Sequence, residues 1–269
     1  NIPVTGIKNP KTFALIIGNE DYGTFQMDLN PNANVDFAST DAKTFNKYLV
    51  NTLGIPDENI TLLINATAGQ MKQSIARLSA IAAAYEGEAK LIFYYAGHGL
   101  PKTGTNEPYL IPVDVSPTNL DYAIKLEDVF NKLSEHPTER VTVFLDACFS
   151  GGARNQGLLA VRGVRIKPKS PFVMGNLVVF SAANEDQTAH PYKEKAHGIF
   201  TYYLLKGLQI SKGAITYGEL EDFIRTNVMR KSVLVNNQLQ TPVLKVSPLF
   251  EYTWKEMQFS DELKFSSSK

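Results

Sequence analysis

VTVFLDACFSGG, residues 141 to 152, is the stretch from which the rest of the chain can be read. Its first five residues, Val141-Thr142-Val143-Phe144-Leu145, stop abruptly at Asp146-Ala147-Cys148, just before a Gly151-Gly152 break. β-Branched and aromatic side chains suit a pleated, buried surface, so the run predicts a short central strand. Cys148, the one cysteine in 269 residues, falls just past the carboxyl end of that strand. In an open α/β sheet, ligands bind and chemistry is done at that end.

A second stretch has the same design. Leu91-Ile92-Phe93-Tyr94-Tyr95 is apolar and breaks into Ala96-Gly97-His98-Gly99. As neighbouring strands, the two runs would end at one edge, with His98 facing Cys148 across a spacing of 148 − 98 = 50 residues. A thiol is weakly nucleophilic until deprotonated, and a nearby imidazole can lower its pKa and later protonate a leaving amine. Glycines on both sides of His98 allow a sharp turn that leaves the ring open. A lone cysteine is by habit a small buried hydrophobe, and a lone loop histidine a polar surface residue. Those separate readings leave unexplained why two β-runs each end in a Gly-bounded reactive residue.

Tyr94 to Gly99, YYAGHG, and Asp146 to Gly151, DACFSG, together resemble the catalytic signature of the caspase-like cysteine peptidases, most closely the metacaspase and bacterial orthocaspase branch. The resemblance implies an α/β caspase-like fold with a central, mostly parallel sheet of about six strands and helices on both faces. Cys148 is then the nucleophile and His98 the acid and base, with an oxyanion held by the backbone N–H groups of Cys148 and Gly99. True caspases carry Gln where this chain has Asp146. Asp146 precedes Cys148 by two residues on a strand and so shares its side. Asp41 matches the region where metacaspases place a second pocket aspartate. An acidic pocket implies peptide or protein substrates with Arg or Lys before the scissile bond. Each aspartate alone could equally be a cap or a solvated residue. The chain departs from the metacaspase pattern at Ala96, often Ser there, and at Phe149, often a second His.

Outward from these motifs the chain follows βαβ grammar. Residues 1–10, rich in Pro, Gly and Asn, read as a loose lead-in. Strands are predicted at 13–17, 60–64, 91–95, 141–145, 176–181 and 240–246, and helices at about 36–53, 67–85, 125–135, 199–208 and 217–228. Gly54 stops the first helix. Residues 100–107 and 182–198 read as loops. The peptidase domain is assigned to 11–248, with a larger portion at 11–152 and a smaller one at 172–248, followed by an extension at 249–269. Between the portions, residues 153–171 carry Arg154, Arg162, Arg165, Lys167 and Lys169 with no acid. The resemblance makes this the processing loop, where an enzyme cutting after basic residues would cut itself.

Lys+Arg and Asp+Glu both number 27, which gives no sign of nucleic-acid binding. No apolar run reaches the ~20 residues that a membrane span needs. The expectation is a soluble protein, cytoplasmic, or exported if a signal peptide was removed before Asn1. Oligomeric state leaves no mark on the pattern. With four His and one Cys, none at ligand spacing, no structural metal is expected. The reaction requires no cofactor; Ca²⁺ as an activator is implied only by the resemblance, with Glu107, Glu127 and Asp128 as the acids in the expected region. The alternative to a peptidase is a silent caspase-like module that scaffolds a partner.

Overall fold

The computed structural model describes residues 1–26, 29, 33–150 and 167–259. Eleven strands and five α-helices lie among them: β1 (Thr12–Gly18), α1 (Ala38–Asn51), β2 (Ile60–Ile64), α2 (Ala68–Ala84), β3 (Lys90–Ala96), β4 (Gly99–Pro101), β5 (Pro108–Leu110), β6 (Ile124–Lys125), α3 (Leu126–Leu133), β7 (Arg140–Asp146), β8 (Leu177–Ser181), β9 (Pro191–Tyr192), β10 (His197–Gly198), α4 (Ile199–Ser211), α5 (Tyr217–Asn236) and β11 (Val243–Val246). The central sheet has the order β11-β8-β7-β3-β1-β2, parallel except for β11 at its edge. Every residue of β1, β3 and β7 is buried. Strands covered on both faces read as continuous apolar runs, which is why these three were legible.

Strand parity divides the core in two. Ile16, Tyr94, Phe144 and Phe180 face α1, α4 and α5; Leu15, Phe93, Leu145 and Val179 face α2 and α3. The largest rings gather on the first face, where Phe144 stacks on Phe180 at 5.1 Å and meets Phe45 of α1 edge-on at 5.6 Å. Truncating such a ring costs about 3–5 kcal/mol. The helix ends are set locally. Capping boxes open α2 (Thr67, Gln70) and α5 (Thr216, Glu219). The Glu20 carboxylate takes the Ser39 N–H at the start of α1. Beyond α1, Gly54 has φ +65°, and a Cβ there would lie 1.7 Å from the Ile7 carbonyl oxygen.

That contact corrects the reading of the first ten residues as loose. Asn9 bonds the Leu53 carbonyl, Thr5 and Thr52 exchange hydroxyl bonds with the backbone of Thr52 and Pro3, and the Asn1 carbonyl accepts from Gln209 of α4. The lead-in is tied down by backbone groups, which leave no periodic sequence signal. The stretch after Gly99 is likewise no plain loop: β4 pairs with β5, and β5 with β6. Residues 182–198 contain the β9–β10 pair, and α5 runs eight residues past the expected Val228. At the other terminus Phe259 is buried against Tyr217, 5.0 Å away, and Arg140 bonds the Gln258 carbonyl. The extension therefore packs into the first core as far as Phe259. Arg154, Arg162 and Arg165 lie outside the described residues.

Candidate active site

β3 and β7 are adjacent and parallel, and their last register pair is Ala96 with Asp146. His98 and Cys148 each lie two residues past that pair, so they leave the sheet side by side at the same level. The 50-residue spacing is this register seen in the sequence. The two exits touch: a Cβ at Gly99 would lie 2.6 Å from the Phe149 ring and 2.9 Å from the Cys148 carbonyl oxygen. Only a residue without a side chain fits that crossing.

His98 is held on several sides. Its Nε2 is hydrogen-bonded to the Ala33 carbonyl. A carbonyl can only accept, so Nε2 carries the hydrogen and Nδ1 is the basic nitrogen of the neutral ring. The ring packs on Tyr22 with centroids 4.5 Å apart, and the His98 N–H donates to the Tyr22 hydroxyl at 3.0 Å. That hydroxyl donates in turn to the Ile111 carbonyl at 2.9 Å. The His98 carbonyl accepts from the Tyr95 hydroxyl at 2.7 Å and the Ile111 N–H at 3.0 Å. Burial pushes both phenols, Tyr22 and Tyr95, above their ordinary pKa, so they stay protonated donors.

Cys148 is 4% exposed. Its sulfur accepts the Ala189 N–H at 2.7 Å and lies 3.6 Å from the Ala189 carbonyl oxygen. The sulfur is thus met by both the N–H and the carbonyl of one residue. The Ser150 hydroxyl bonds the Gln187 carbonyl at 3.2 Å, so the strip from Gln187 to Ala189 lies across Cys148.

Asp41 and Asp146 come from different elements and converge on the start of α4. Asp41, fully buried on α1, takes the Gly198 N–H at 3.0 Å and His197 Nδ1 at 2.7 Å. Asp146 Oδ2 takes the Thr201 hydroxyl at 2.6 Å and its N–H at 3.3 Å. Gly198 precedes the helix and offers no side chain to cap it. Two remote carboxylates thus satisfy amides that a helix start leaves without partners, where its dipole favours negative charge.

A family profile described as Caspase domain matches residues 11–253. The chain belongs to the caspase-domain family. A probable protease of a Desulfuromonadales bacterium is 23% identical over 175 residues, which cover 60% of this chain and 21% of that protein, so the chain spans about a fifth of that relative's length. The solved structure of protein GSU0716 from Geobacter sulfurreducens superposes with a TM-score of 0.64 at 18% identity, over 93% of this chain and 99% of that one. Caspase-1 from Spodoptera frugiperda gives 0.59 at 15% identity, over 91% and 90%. Both likenesses concern the fold.

Within this caspase domain the candidate calcium acids have another partner. Glu107 and Glu127 each hold the Lys125 ammonium at 2.8 Å. The lysine's hydrogen bond keeps the Glu107 carboxyl below its usual range. Glu107 and Glu127 thus face an ammonium, and among the described residues no three His, Cys, Asp or Glu are grouped to hold a metal. No helix among them is long and apolar enough to cross a membrane. Tyr22, Ala33, Ala189, His197 and Thr201 were absent from the sequence reading. A signal existed for Tyr22 alone: it follows β1, whose carboxyl end adjoins that of β3.

Proposed function

We propose that this chain is a cysteine endopeptidase that cleaves after Arg or Lys through His98 and Cys148. The level exit of these two residues from adjacent parallel strands carries the reading. Once its proton has passed to His98 Nδ1, the Cys148 thiolate attacks the scissile carbonyl carbon, forming a C–S bond and an oxyanion to which the N–H groups of Cys148 and Gly99 donate. As the C–N bond breaks, the departing nitrogen takes a proton from the His98 ring. Water then gives a proton to His98 and attacks the thioester, and the C–S bond breaks. The Ala33 carbonyl positions the ring. Asp41 and Asp146 are the acids of the pocket for the basic side chain, and both lie on the Cys148 side of the sheet. The steps need no metal from the described residues.

Self-processing belongs to the same reading. Lys169 is tied through its N–H to the Asn106 carbonyl at 2.7 Å, and Ser170 is bonded by Lys245. The cut is placed after one of Arg154, Arg162, Arg165, Lys167 or Lys169, and a cut at Lys169 would require that residue to leave these contacts first.

Fluorogenic peptides ending in Arg, Lys or Asp, with wild type and Cys148→Ala side by side and with calcium added or chelated, test the proposal. Turnover of Arg or Lys peptides, lost in the variant, is expected. Turnover of Asp peptides alone would remove the acidic pocket. The burial of Cys148 beneath Ala189 favours a second reading, a latent or silent caspase-like module. Labelling separates the two: an Arg-directed electrophile that fails to modify Cys148 while a small alkylating agent succeeds would favour the silent module.

A further inference from the structure

We propose that His197 is a built-in occupant of the substrate pocket, holding at Asp41 the place that the substrate's basic side chain takes. The inference rests on the assignment of Asp41 as a pocket acid. Asp41 has no exposed surface, and one of its oxygens lies 2.7 Å from His197 Nδ1. The His197 side chain is itself only 16% exposed. The Gly198 N–H donates to both oxygens, at 3.0 and 3.3 Å. An arginine or lysine of a substrate therefore reaches this carboxylate by displacing the imidazole that lies against it. A buried carboxylate needs a hydrogen-bonded partner, and the imidazole N–H supplies one in the absence of substrate.

The mounting of His197 suits a removable group. It belongs to β10, which pairs with β9 through two register positions only, His197 with Tyr192 and Gly198 with Pro191. The residue before it, Ala196, sits in the left-handed region at φ 53°, a conformation that favours glycine. A ladder so short, closed by an alanine in that conformation, resists displacement far less than the central sheet does. The same segment, at its other end, places Ala189 on the Cys148 sulfur. One strip of chain thus occupies the pocket acid and covers the nucleophile together, and a basic side chain entering at Asp41 would lift both. His197 is accordingly a specificity-determining residue: it sets how strongly a cation must bind before the site opens.

Benzamidine, whose amidinium mimics an arginine head group, provides the test with the intact chain. Calorimetry is run on wild type, His197→Ala, His197→Gln and Asp41→Asn. The expected result is that His197→Ala binds on the order of tenfold more tightly than wild type, the size of one charge-assisted hydrogen bond no longer opposing the ligand. In ¹⁵N-histidine spectra of wild type, saturating benzamidine should shift the His197 signals, identified by their loss in His197→Gln, away from the hydrogen-bonded position. The wild-type spectra keep the test decisive should His197→Ala fold poorly. Equal or weaker binding by His197→Ala, or His197 signals that stay in place at saturation, overturns the occupant role while leaving the pocket intact. Binding that persists unchanged in Asp41→Asn sinks the pocket assignment instead, and the occupant role with it.

Discussion

The His98–Cys148 edge and the Asp41–Asp146 corner both serve one proposed reaction, yet the chain builds them by different means. The edge is a product of register: two neighbouring strands end together, and each delivers its reactive residue two positions later. The corner is assembled from α1, the end of β7 and the start of α4, segments separated by up to 157 residues. An edge set by a ladder is rigid, because moving one residue means slipping a strand whose seven side chains are all buried. The corner's links to α4 are side-chain bonds from Asp41 and Asp146 and can be rearranged bond by bond, although Asp146 itself ends β7. On the proposed function, chemistry is thereby fixed in the sheet and selectivity is left adjustable.

Substitutions can break this contrast. The largest effect is expected from Cys148→Ala, which should lower peptide hydrolysis by at least about a thousandfold with little change in thermal stability. Asp146→Asn comes next: kcat/KM for Arg peptides should fall about a hundredfold, the cost of losing one buried charge partner. If the carboxylate only caps α4, that variant would instead lose thermal stability and keep its preference among Arg, Lys and Asp peptides. Gly99→Ala attacks the edge directly. Its methyl group meets the Phe149 ring and the Cys148 carbonyl, so a stability loss of about 1–3 kcal/mol and a fall in kcat should appear together. Unchanged kinetics would mean that the two exits can move apart freely.

Smaller changes sharpen it. Tyr22→Phe leaves the His98 N–H without its acceptor and the Ile111 carbonyl without one donor, which should cost about 1–2 kcal/mol in denaturant unfolding. Because the ring remains, kcat should fall while KM holds. The smallest effect is expected away from both regions, at Glu107. Its pKa is depressed below 4.5, so its contribution to stability is present above pH 4.5 and lost as pH falls through the lower folded value. Melting curves of wild type and Glu107→Gln should therefore differ near neutrality and converge in acid. A gap that persists in acid would show that the bond with Lys125 is not its source.

The same contrast governs what the sequence disclosed. β1, β3 and β7 announce themselves as unbroken apolar runs, and the spacing of His98 from Cys148 carries the β3–β7 register. Asp146 could be placed on the Cys148 side from strand alternation alone. Hidden from such reasoning were the contacts made by backbone groups or by loops without period. Ala33 acts through its carbonyl, Ala189 through its N–H, and neither function depends on the side chain that the sequence records. His197 lies in a stretch that reads as polar loop, because two-residue strands have no alternation to detect. The acids Glu107 and Glu127 were visible, but Glu107's partner Lys125 was not, since it is brought there by the pairing of β5 with β6.

The order of strands has a consequence for a chain cut within residues 153–166. That segment joins β7 to β8, which lie side by side in the sheet through five register pairs from Val141–Leu177 to Leu145–Ser181. Cutting it would sever a tether between two partners already clasped, with α4 and α5 still pressed against α1 and the sheet. A nicked molecule should migrate as one species in native gel filtration and as two bands under denaturing electrophoresis. Fragments 1–152 and 172–259, produced separately, should then complement one another into an active pair.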